Sequence, residues 1–552
     1  MNLDDNQLNR NLYRCFLESN TFRPDDVILE YFSRQITYRE FTGLVERFKN
    51  VLAGLGIKGN DRVIVALITA PDSIALLYAC SDLGIIPVMT DICLDLKALD
   101  SLIASAEAKA VFMHDLSSPH MYNAAKMHSD IPFFILSPCS YLSYKARPFC
   151  DISFQLKGNT YRKADLLCSN VEYWDKAVSR LSDKTSVSSG EGDGEVIFAT
   201  SGTTGANKYV LLSNYQLNLS AVQNMNDRQI ATVKTVLNLL PIFICYGFVI
   251  GIHMPLLHSK KIVIYPMYKP KDLAKYIIQN RPNQISGVFF HFAALIEDPR
   301  LRDQDLSFLT DLRVGGDKCD LEQLARINSF LSEHGCKTKL NQGYGMTEVA
   351  AGAFLQRDDE NYIPGSVGKA LPNVEVKIIN EDGKEVAQGE TGEICLHSPC
   401  QTKGYFNNNE LTAELLKEHE DGKIWVHTGD LGYLDENQNL FIVDRIKRLA
   451  VASDGTKLYL SNIENVVKAM PEVENAAVVA YKQQNEIRLV LFIESNGKLS
   501  DLKLKKRVKV HLEENLPSYL QPDHCFILNG FPHTGSGKTD YHELEKLSKS
   551  YT

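Results

Sequence analysis

Between Thr37 and Met89 the hydrophobic spacing alternates between helical and continuous, and this restricts the architecture more than any other feature of the chain. Thr37-Tyr-Arg-Glu40 has the form of a capping box, in which a hydroxyl and a carboxylate satisfy each other's backbone N–H groups at a helix start. Phe41, Leu44, Val45, Phe48, Leu52 and Leu55 follow at helical spacing, and Gly56 ends the run. Residues 62–67 read as a buried strand. Pro71 opens a second helix at a position where its missing N–H costs nothing, and residues 84–89 read as another strand. Strand–helix–strand order at this spacing implies a parallel α/β architecture. This first third carries no chemistry-bearing motif and is assigned to scaffold.

At 552 residues the chain is too long for one core, and about two to four domains are expected. A net charge of −9 disfavours a nucleic-acid surface. The twelve cysteines are scattered without a C-x-x-C, so neither a zinc framework nor a redox pair is indicated, and reduced thiols in a cytoplasmic protein fit best. The N-terminus lacks the basic-then-apolar pattern of a signal peptide. Residues 236–257 carry no formal charge, but Pro241, Gly247, Gly251, His253 and Pro255 interrupt them. They read as a buried strand, a substrate-lining loop and a buried helix, with no integral membrane association.

The densest chemistry lies in Phe198-Ala-Thr-Ser-Gly-Thr-Thr-Gly-Ala-Asn-Lys208, between the apolar runs 196–198 and 210–212. This reads as strand, tight loop, strand. Thr200, Ser201, Thr203 and Thr204 supply hydroxyls, Gly202 and Gly205 allow close backbone approach, and Lys208 adds a positive charge. Backbone N–H groups in such a turn form a concave anion site, so the stretch is a candidate polyphosphate cradle. It is not a Walker loop, because Asn207 precedes the lysine where that motif requires glycine. Gly535-Ser-Gly-Lys-Thr539 fails too, with Pro532 at the required upstream glycine.

Ser201-Gly-Thr-Thr-Gly205 with Lys208 resembles the signature loop of the adenylate-forming superfamily: acyl- and aryl-CoA synthetases, nonribosomal peptide adenylation domains and firefly luciferases. Further motifs follow in the family's order over almost the whole chain. The resemblance implies a large, multi-subdomain α/β AMP-binding domain over residues 1–443, a hinge at 444–447 and a small mobile α+β domain over 448–552. It implies ATP and Mg²⁺ as cofactors, a small carboxylic acid as substrate, and CoA or a carrier-protein phosphopantetheine as acceptor.

The family's substrate-pocket wall corresponds to Leu240-Pro-Ile-Phe-Ile-Cys-Tyr-Gly247. Ile244 stands where many members have histidine. Adenylation domains for α-amino acids carry Phe-Asp-x-Ser where this chain has Phe243-Ile-Cys-Tyr246. An apolar residue there cannot compensate a buried ammonium, so an acid with an apolar or aromatic tail is expected. Leu312-Arg-Val-Gly-Gly-Asp317 is similar to the family's glycine turn. Adenine is expected against Gly315, Gly316 and Asp317, with the acyl group near Val314 and Gly315. Asn341-Gln-Gly-Tyr-Gly-Met-Thr-Glu348 is a second signature, with Gln342, Gly343, Gly345 and Met346 assigned to the nucleotide site. Tyr344 is expected to stack on adenine, Thr347 to donate to the α-phosphate and Glu348 to ligate Mg²⁺. Ala350 would leave room for substrate.

Gly389-Glu-Thr-Gly-Glu-Ile394, Gly404-Tyr-Phe406 and Trp425-Val-His-Thr-Gly-Asp430 complete the large region. Asp430 is expected to accept from both ribose hydroxyls, Arg445 to reach the ribose and Lys447 to be the hinge. His427 reads as a packed loop histidine without a role. Gly455 matches the loop lining the thiol tunnel. The motif that follows departs from the family, with Leu460 for proline and Asn462 for the first glutamate, while Glu464 is retained. Ser461-x-x-Glu464 reads as a capping box with Ile463, Val466, Val467 and Met470 inward. Strands are expected near 476–480 and 489–493. Lys503, Lys505, Lys506, Arg507 and Lys509 form a basic cluster that reads as a solvated helix face. The terminal motif supplies Lys538, implied to bridge the attacking carboxylate and the phosphate. The expected activity is ATP-dependent formation of an acyl-AMP, then transfer to CoA. The alternatives are a free-standing enzyme loading a carrier protein and a nucleotide-binding regulator without catalysis.

Overall fold

The alternation at the start of the chain builds the first sheet. The computed structural model describes residues 4–114, 119–141, 168–181, 194–201, 207–225, 231–266, 272–316, 320–357, 362–451, 457–483, 486–532 and 539–551. Thr37 caps the helix Tyr38–Gly54 reciprocally with Glu40, and Gly56 follows at φ 77°. Strand Arg62–Ala66 comes next, then helix Pro71–Leu83 with Pro71 in its first turn. Gly84 is the left-handed cap of that helix at φ 67°, so the next strand is Ile86–Met89 and not 84–89. Glycine suits this position because a Cβ disfavours positive φ.

The first sheet runs Val171–Tyr173, Phe133–Leu136, Ala110–His114, Arg62–Ala66, Ile86–Met89, Glu195–Ser201, Asn207–Ser213, and all neighbours are parallel except the last pair. A second sheet has a parallel centre made by Leu340–Tyr344, Asp311–Val314, Gln284–Gly287, Thr235–Asn238, Lys261–Ile264 and Val27–Tyr31. Every residue of helix Pro71–Leu83 is buried. It carries two buried carboxylates: Asp82 is held by Lys49 at 2.6 Å and Arg14 at 3.2 Å, as a buried charge requires, and Asp72 accepts from the Tyr141 hydroxyl at 2.7 Å.

The charge-free segment 236–257 folds as expected into strand Thr235–Asn238, a loop and a buried helix. That helix contains a π-helical turn, Val249–His253. His253 meets the Tyr78 hydroxyl at 2.9 Å and Asn218 at 2.8 Å, so its buried ring nitrogens are satisfied. No helix among the described residues is long and apolar enough to cross a membrane.

A third, antiparallel sheet pairs Glu375–Ile379, Gly392–His397, Ile424–Leu434, Leu416–Glu418 and Leu440–Arg445. His427 lies within its strand Ile424–Leu434, which corrects the expectation of a loop histidine. Beyond the third sheet a small α+β region forms around Val473–Gln483, Glu486–Ser495 and His524–Leu528. Separate apolar cores lie on the two faces of this small sheet. Helix Asp501–Asn515 carries the basic cluster, where Arg507 pairs with Glu472 at 2.5 Å and Lys509 with Glu513 at 3.8 Å.

Ser461-x-x-Glu464 is not a capping box. Helix Leu460–Lys468 begins after Tyr459, without a side-chain cap. Glu464 is buried instead, and its Oε1 accepts from Arg448 at 2.5 Å, Val478 N–H at 2.8 Å and the Tyr541 hydroxyl at 3.1 Å. Tertiary pairing of the carboxylate outweighs local capping. Removing one partner of a buried ion pair costs about 3–5 kcal/mol, and the one-fifth exposure of Arg448 puts this case at the low end. Glu464→Ala is therefore expected to destabilise the small region by about 3 kcal/mol in a denaturant titration. Ser461→Ala should cost well under about 1 kcal/mol, since it loses one long hydrogen bond. Equal effects would restore the capping role.

Candidate active site

The loop of the candidate cradle is carried by a hairpin. Strand Glu195–Ser201 pairs antiparallel with Asn207–Ser213, with Thr200 opposite Lys208 and Ser201 opposite Asn207. The Thr200 hydroxyl donates to the Lys208 carbonyl at 3.4 Å. Gly202, Thr203, Thr204 and Gly205 lie outside the described residues, as do Asp317, Gly455 and Lys538.

Lys208 points its ammonium at Tyr405, 3.5 Å from the hydroxyl and 4.9 Å from the ring centroid. The Tyr405 hydroxyl donates to Glu348 Oε1 at 2.7 Å. A cation, a phenol and a carboxylate thus form one chain, with the last two buried. Burial pulls the Lys208 ammonium below its ordinary value, Glu348 opposes that shift, and Lys447 and Arg445 add to it. Burial and then the Glu348 charge hold the Tyr405 phenol far above its usual value, so it keeps the proton it donates.

The segment 402–406 sets this geometry. Thr402 N–H donates to the Glu348 carbonyl at 2.8 Å, and Thr402 Oγ1 donates to the Leu211 carbonyl at 2.5 Å. Phe406 N–H donates to the Tyr209 carbonyl at 2.7 Å. Glu348 itself sits in a 3₁₀ turn, Thr347–Val349, which ends on two alanines in the left-handed region, Ala350 at φ 54° and Ala351 at φ 87°. Non-glycine residues pay for that conformation, and such strain concentrates at functional turns. Ser220 donates to the Ala350 carbonyl and Ala351 N–H to Met346 O, which hold the turn closed.

On the other side Asp430 is shared by two donors. The Tyr344 hydroxyl reaches Oδ2 at 2.7 Å and Arg445 Nε reaches Oδ1 at 2.9 Å. Asp430 and Arg445 are register partners on adjacent strands, and Tyr344 is the last residue of strand Leu340–Tyr344 in the second sheet. The residues assigned to adenine and ribose are thereby brought together. Burial, then the Asp430 charge, raises the Tyr344 phenol well above its usual value. Gln342 is buried, and its Nε2 has no hydrogen-bond partner among the described residues. Gly345 has no room for a side chain, since a Cβ there would lie 1.7 Å from the Ala351 carbonyl oxygen.

The candidate acid pocket gathers Tyr246, Gly315 and Val314. A Cβ on Gly315 would lie 3.8 Å from the Tyr246 ring and 3.3 Å from the Gly343 carbonyl, so the two signature turns and the pocket wall meet there. The Tyr246 hydroxyl bonds Ser286, and burial raises it. Val314, Phe243 and Ala350 are buried, Ile244 is half-buried, and Gly247 packs against the Pro241 carbonyl. Beneath lies the buried pair Arg313–Asp311 at 2.9 Å, with Arg313 also donating to the Asn224 carbonyl at 2.7 Å. Gly316 is exposed at φ 84°.

The exposed Lys447 occupies the middle of a 3₁₀ turn, Ile446–Arg448, between the last strand of the third sheet and the short strand Leu449–Val451. Asp444 spans this junction, accepting from Arg445 N–H at 2.8 Å and Ser461 N–H at 3.1 Å. Sequence reasoning gave no role to Tyr405, Thr402 or Ser286. Only the motif Gly404-Tyr-Phe406 pointed to the first, and nothing local marks the other two.

Residues 16–406 match the AMP-binding enzyme family, and residues 462–538 match the AMP-binding enzyme C-terminal domain. The chain is similar to an indoleacetate–CoA ligase of Aromatoleum aromaticum, 25% identical over 529 residues and covering 95% of each chain. It is also 25% identical over 521 residues to a feruloyl-CoA synthase of an Amycolatopsis species, covering 93% of this chain and 94% of that one. Its fold resembles ATP-bound MatB from Rhodopseudomonas palustris, with a TM-score of 0.80 at 22% identity over 98% and 99% of the two chains. A benzoate CoA ligase from Burkholderia xenovorans gives 0.79 at 17% identity over 97% and 99%. Two matched regions in the family's order, with the signature lysine and glutamate joined in one hydrogen-bonded chain, place this protein among the AMP-binding enzymes.

Proposed function

We propose that this enzyme, an AMP-forming acid–thiol ligase, joins an aromatic or apolar carboxylic acid to AMP with release of pyrophosphate and then passes the acyl group to the thiol of CoA. The observation that carries this is the Lys208–Tyr405–Glu348 chain, which sets a cation and a carboxylate at the foot of the phosphate-loop hairpin. The choice of acid rests on Phe243, Ile244 and Tyr246, which offer no carboxylate to a substrate ammonium. It is also supported by relatives named for indoleacetate and ferulate.

The acid's carboxylate attacks the α-phosphorus of ATP in line, the bond to the β-phosphate oxygen breaks, and acyl-AMP and pyrophosphate result. Two anions must meet, so the work of the protein is positioning and charge neutralisation. Lys208 would help the loop 202–205 to hold the leaving phosphates. Tyr405 restrains both Lys208 and Glu348, which stops the two from collapsing onto each other. Thr347 would donate to the α-phosphate. Tyr344, Asp430 and Arg445 would fix the nucleoside. A carboxylate has about four lone-pair sites, so Asp430 can still receive ribose hydroxyls beside its two present donors. Glu348, a hard oxygen donor with a second oxygen beyond Tyr405's bond, fits Mg²⁺, which would neutralise phosphate charge. Lys538 is assigned to the reacting carboxylate and phosphate, and turning about 444–447 would exchange it for the Gly455 loop when the thiol enters.

Pyrophosphate exchange across aryl, short-chain and long-chain acids tests the first step, and exchange with no acid would overturn it. Thioester formation with CoA against a phosphopantetheinyl carrier protein tests the second, and a preference for the carrier would reassign the acceptor. Tyr405→Phe removes a hydrogen bond to a charged group worth about 1.5–3 kcal/mol. It should slow exchange about tenfold to a hundredfold without loss of folded protein, and unchanged exchange would make Tyr405 a spacer. Lys538→Ala should slow adenylation by about a hundredfold or more, in the range of a lost transition-state donor, while sparing thiolysis of supplied acyl-AMP. Equal loss in both steps would contradict the exchange of Lys538 for the Gly455 loop. Lys447→Pro fixes a backbone angle at the junction, and should spare pyrophosphate exchange while impairing thioester formation. Unimpaired thioester formation would remove Lys447 from the hinge.

A further inference from the structure

Apart from the candidate active site, one cluster of ligating side chains stands on the third sheet. Cys395 on strand Gly392–His397 and His427 on strand Ile424–Leu434 are direct register partners, so their side chains share a face. His419 follows strand Leu416–Glu418 and folds back over the same face. Its turn is closed by His419 N–H donating to the Lys423 carbonyl at 3.0 Å, and its ring stacks on Trp425 at 5.6 Å and 21°. The sulfur and one nitrogen of each imidazole all lie within 4.8 Å of one another.

We propose that Cys395, His419 and His427 bind a zinc-class transition-metal ion. The two Nε2 atoms are 3.0 Å apart. An ion with Zn–N and Zn–S bonds of about 2.0–2.3 Å in tetrahedral geometry holds its ligand atoms about 3.3–3.7 Å apart. The nitrogens are therefore close to the required spacing, and the sulfur needs to move by about 1 Å at most. A thiolate with two imidazoles suits zinc or cobalt and not the hard ions magnesium and calcium. Glu393 takes His427 Nδ1 at 2.9 Å. The ring then keeps its proton on Nδ1 and its lone pair on Nε2, the arrangement by which a carboxylate orients a ligating histidine. Binding displaces one proton, from the Cys395 thiol. Three protein ligands leave a fourth position to water.

The ion would pin the hairpin 416–434 to the strand beside it. The second oxygen of Glu393 accepts from Gly429 N–H at 3.1 Å, so the group that orients His427 also fixes the turn before Asp430. No local motif marks this site, because its members are brought together by strand register and not by close spacing.

The test is a titration of chelator-treated full-length protein with Co²⁺, followed by competition with Zn²⁺. One Co²⁺ per chain should give an ultraviolet sulfur-to-cobalt charge-transfer band that Zn²⁺ abolishes. Cys395→Ser should lose the band. His419→Gln, on a half-buried turn, should bind Co²⁺ at least about tenfold more weakly, and Glu393→Gln about 10–100-fold more weakly. The proposal is overturned by no band in the wild-type protein at one equivalent, by a band that survives in Cys395→Ser, or by unchanged affinity in His419→Gln. If Cys395→Ser does not fold, the His419→Gln affinity decides.

Discussion

A single phenol hydroxyl holds the candidate centre together. Tyr405 accepts from the ammonium of Lys208 on the first sheet and donates a hydrogen bond to Glu348, which follows the second. Burial keeps that proton in place, so the hydroxyl acts as a permanent donor on one side and acceptor on the other. Without it, the ammonium of Lys208 and the carboxylate of Glu348 would be free to pair directly. The short segment 402–406 stitches onto both neighbours through backbone bonds to Leu211, Tyr209 and Glu348. Two large sheets and the approach to a third therefore meet at one side chain.

Asp430 has the corresponding place on the other side of the candidate site. It joins the end of the second sheet, through Tyr344, to Arg445 at the exit from the third. Arg445 is followed at once by the Ile446–Arg448 turn, so a rotation there moves a residue bound to the candidate ribose site. Asp444, bonded to Ser461 N–H, ties the first helix of the small region to the same junction. The tie to the candidate ribose site and the tie to the small region are thus made by adjacent residues, Arg445 and Asp444.

Much of this was legible in the sequence, for identifiable reasons. The capping box at Thr37, the Pro71 helix start and the hairpin around residues 202–206 depend on neighbours within a few positions, and local chemistry fixes them. Ser461–Glu464 has the same local pattern and failed, because Arg448 and Tyr541 offer the carboxylate a stronger, distant partnership. Gly84 was drawn into a strand by the apolar run after it, when its positive φ belongs to the helix before. The motif glycines and Glu348 stand in local patterns that mark them as candidates. Tyr405, Thr402, Ser286 and the Cys395–His427 pairing do not, since each acquires meaning only from strand register or from a contact across the chain.

The burial of the thiols has a practical consequence. Of the described cysteines only Cys93 is exposed, and burial pushes the thiols of Cys15 and Cys400 up to about 12. A hidden, protonated sulfur is a poor nucleophile. Among the described cysteines an alkylating dye therefore meets chiefly Cys93 and the half-buried Cys168 and Cys525, and a label on a buried one counts an excursion that opened part of the interior. The buried thiols are thus a built-in set of clocks for breathing motions, distributed from Cys15 near one end to Cys400 in the third sheet's neighbourhood, with no engineered tag required.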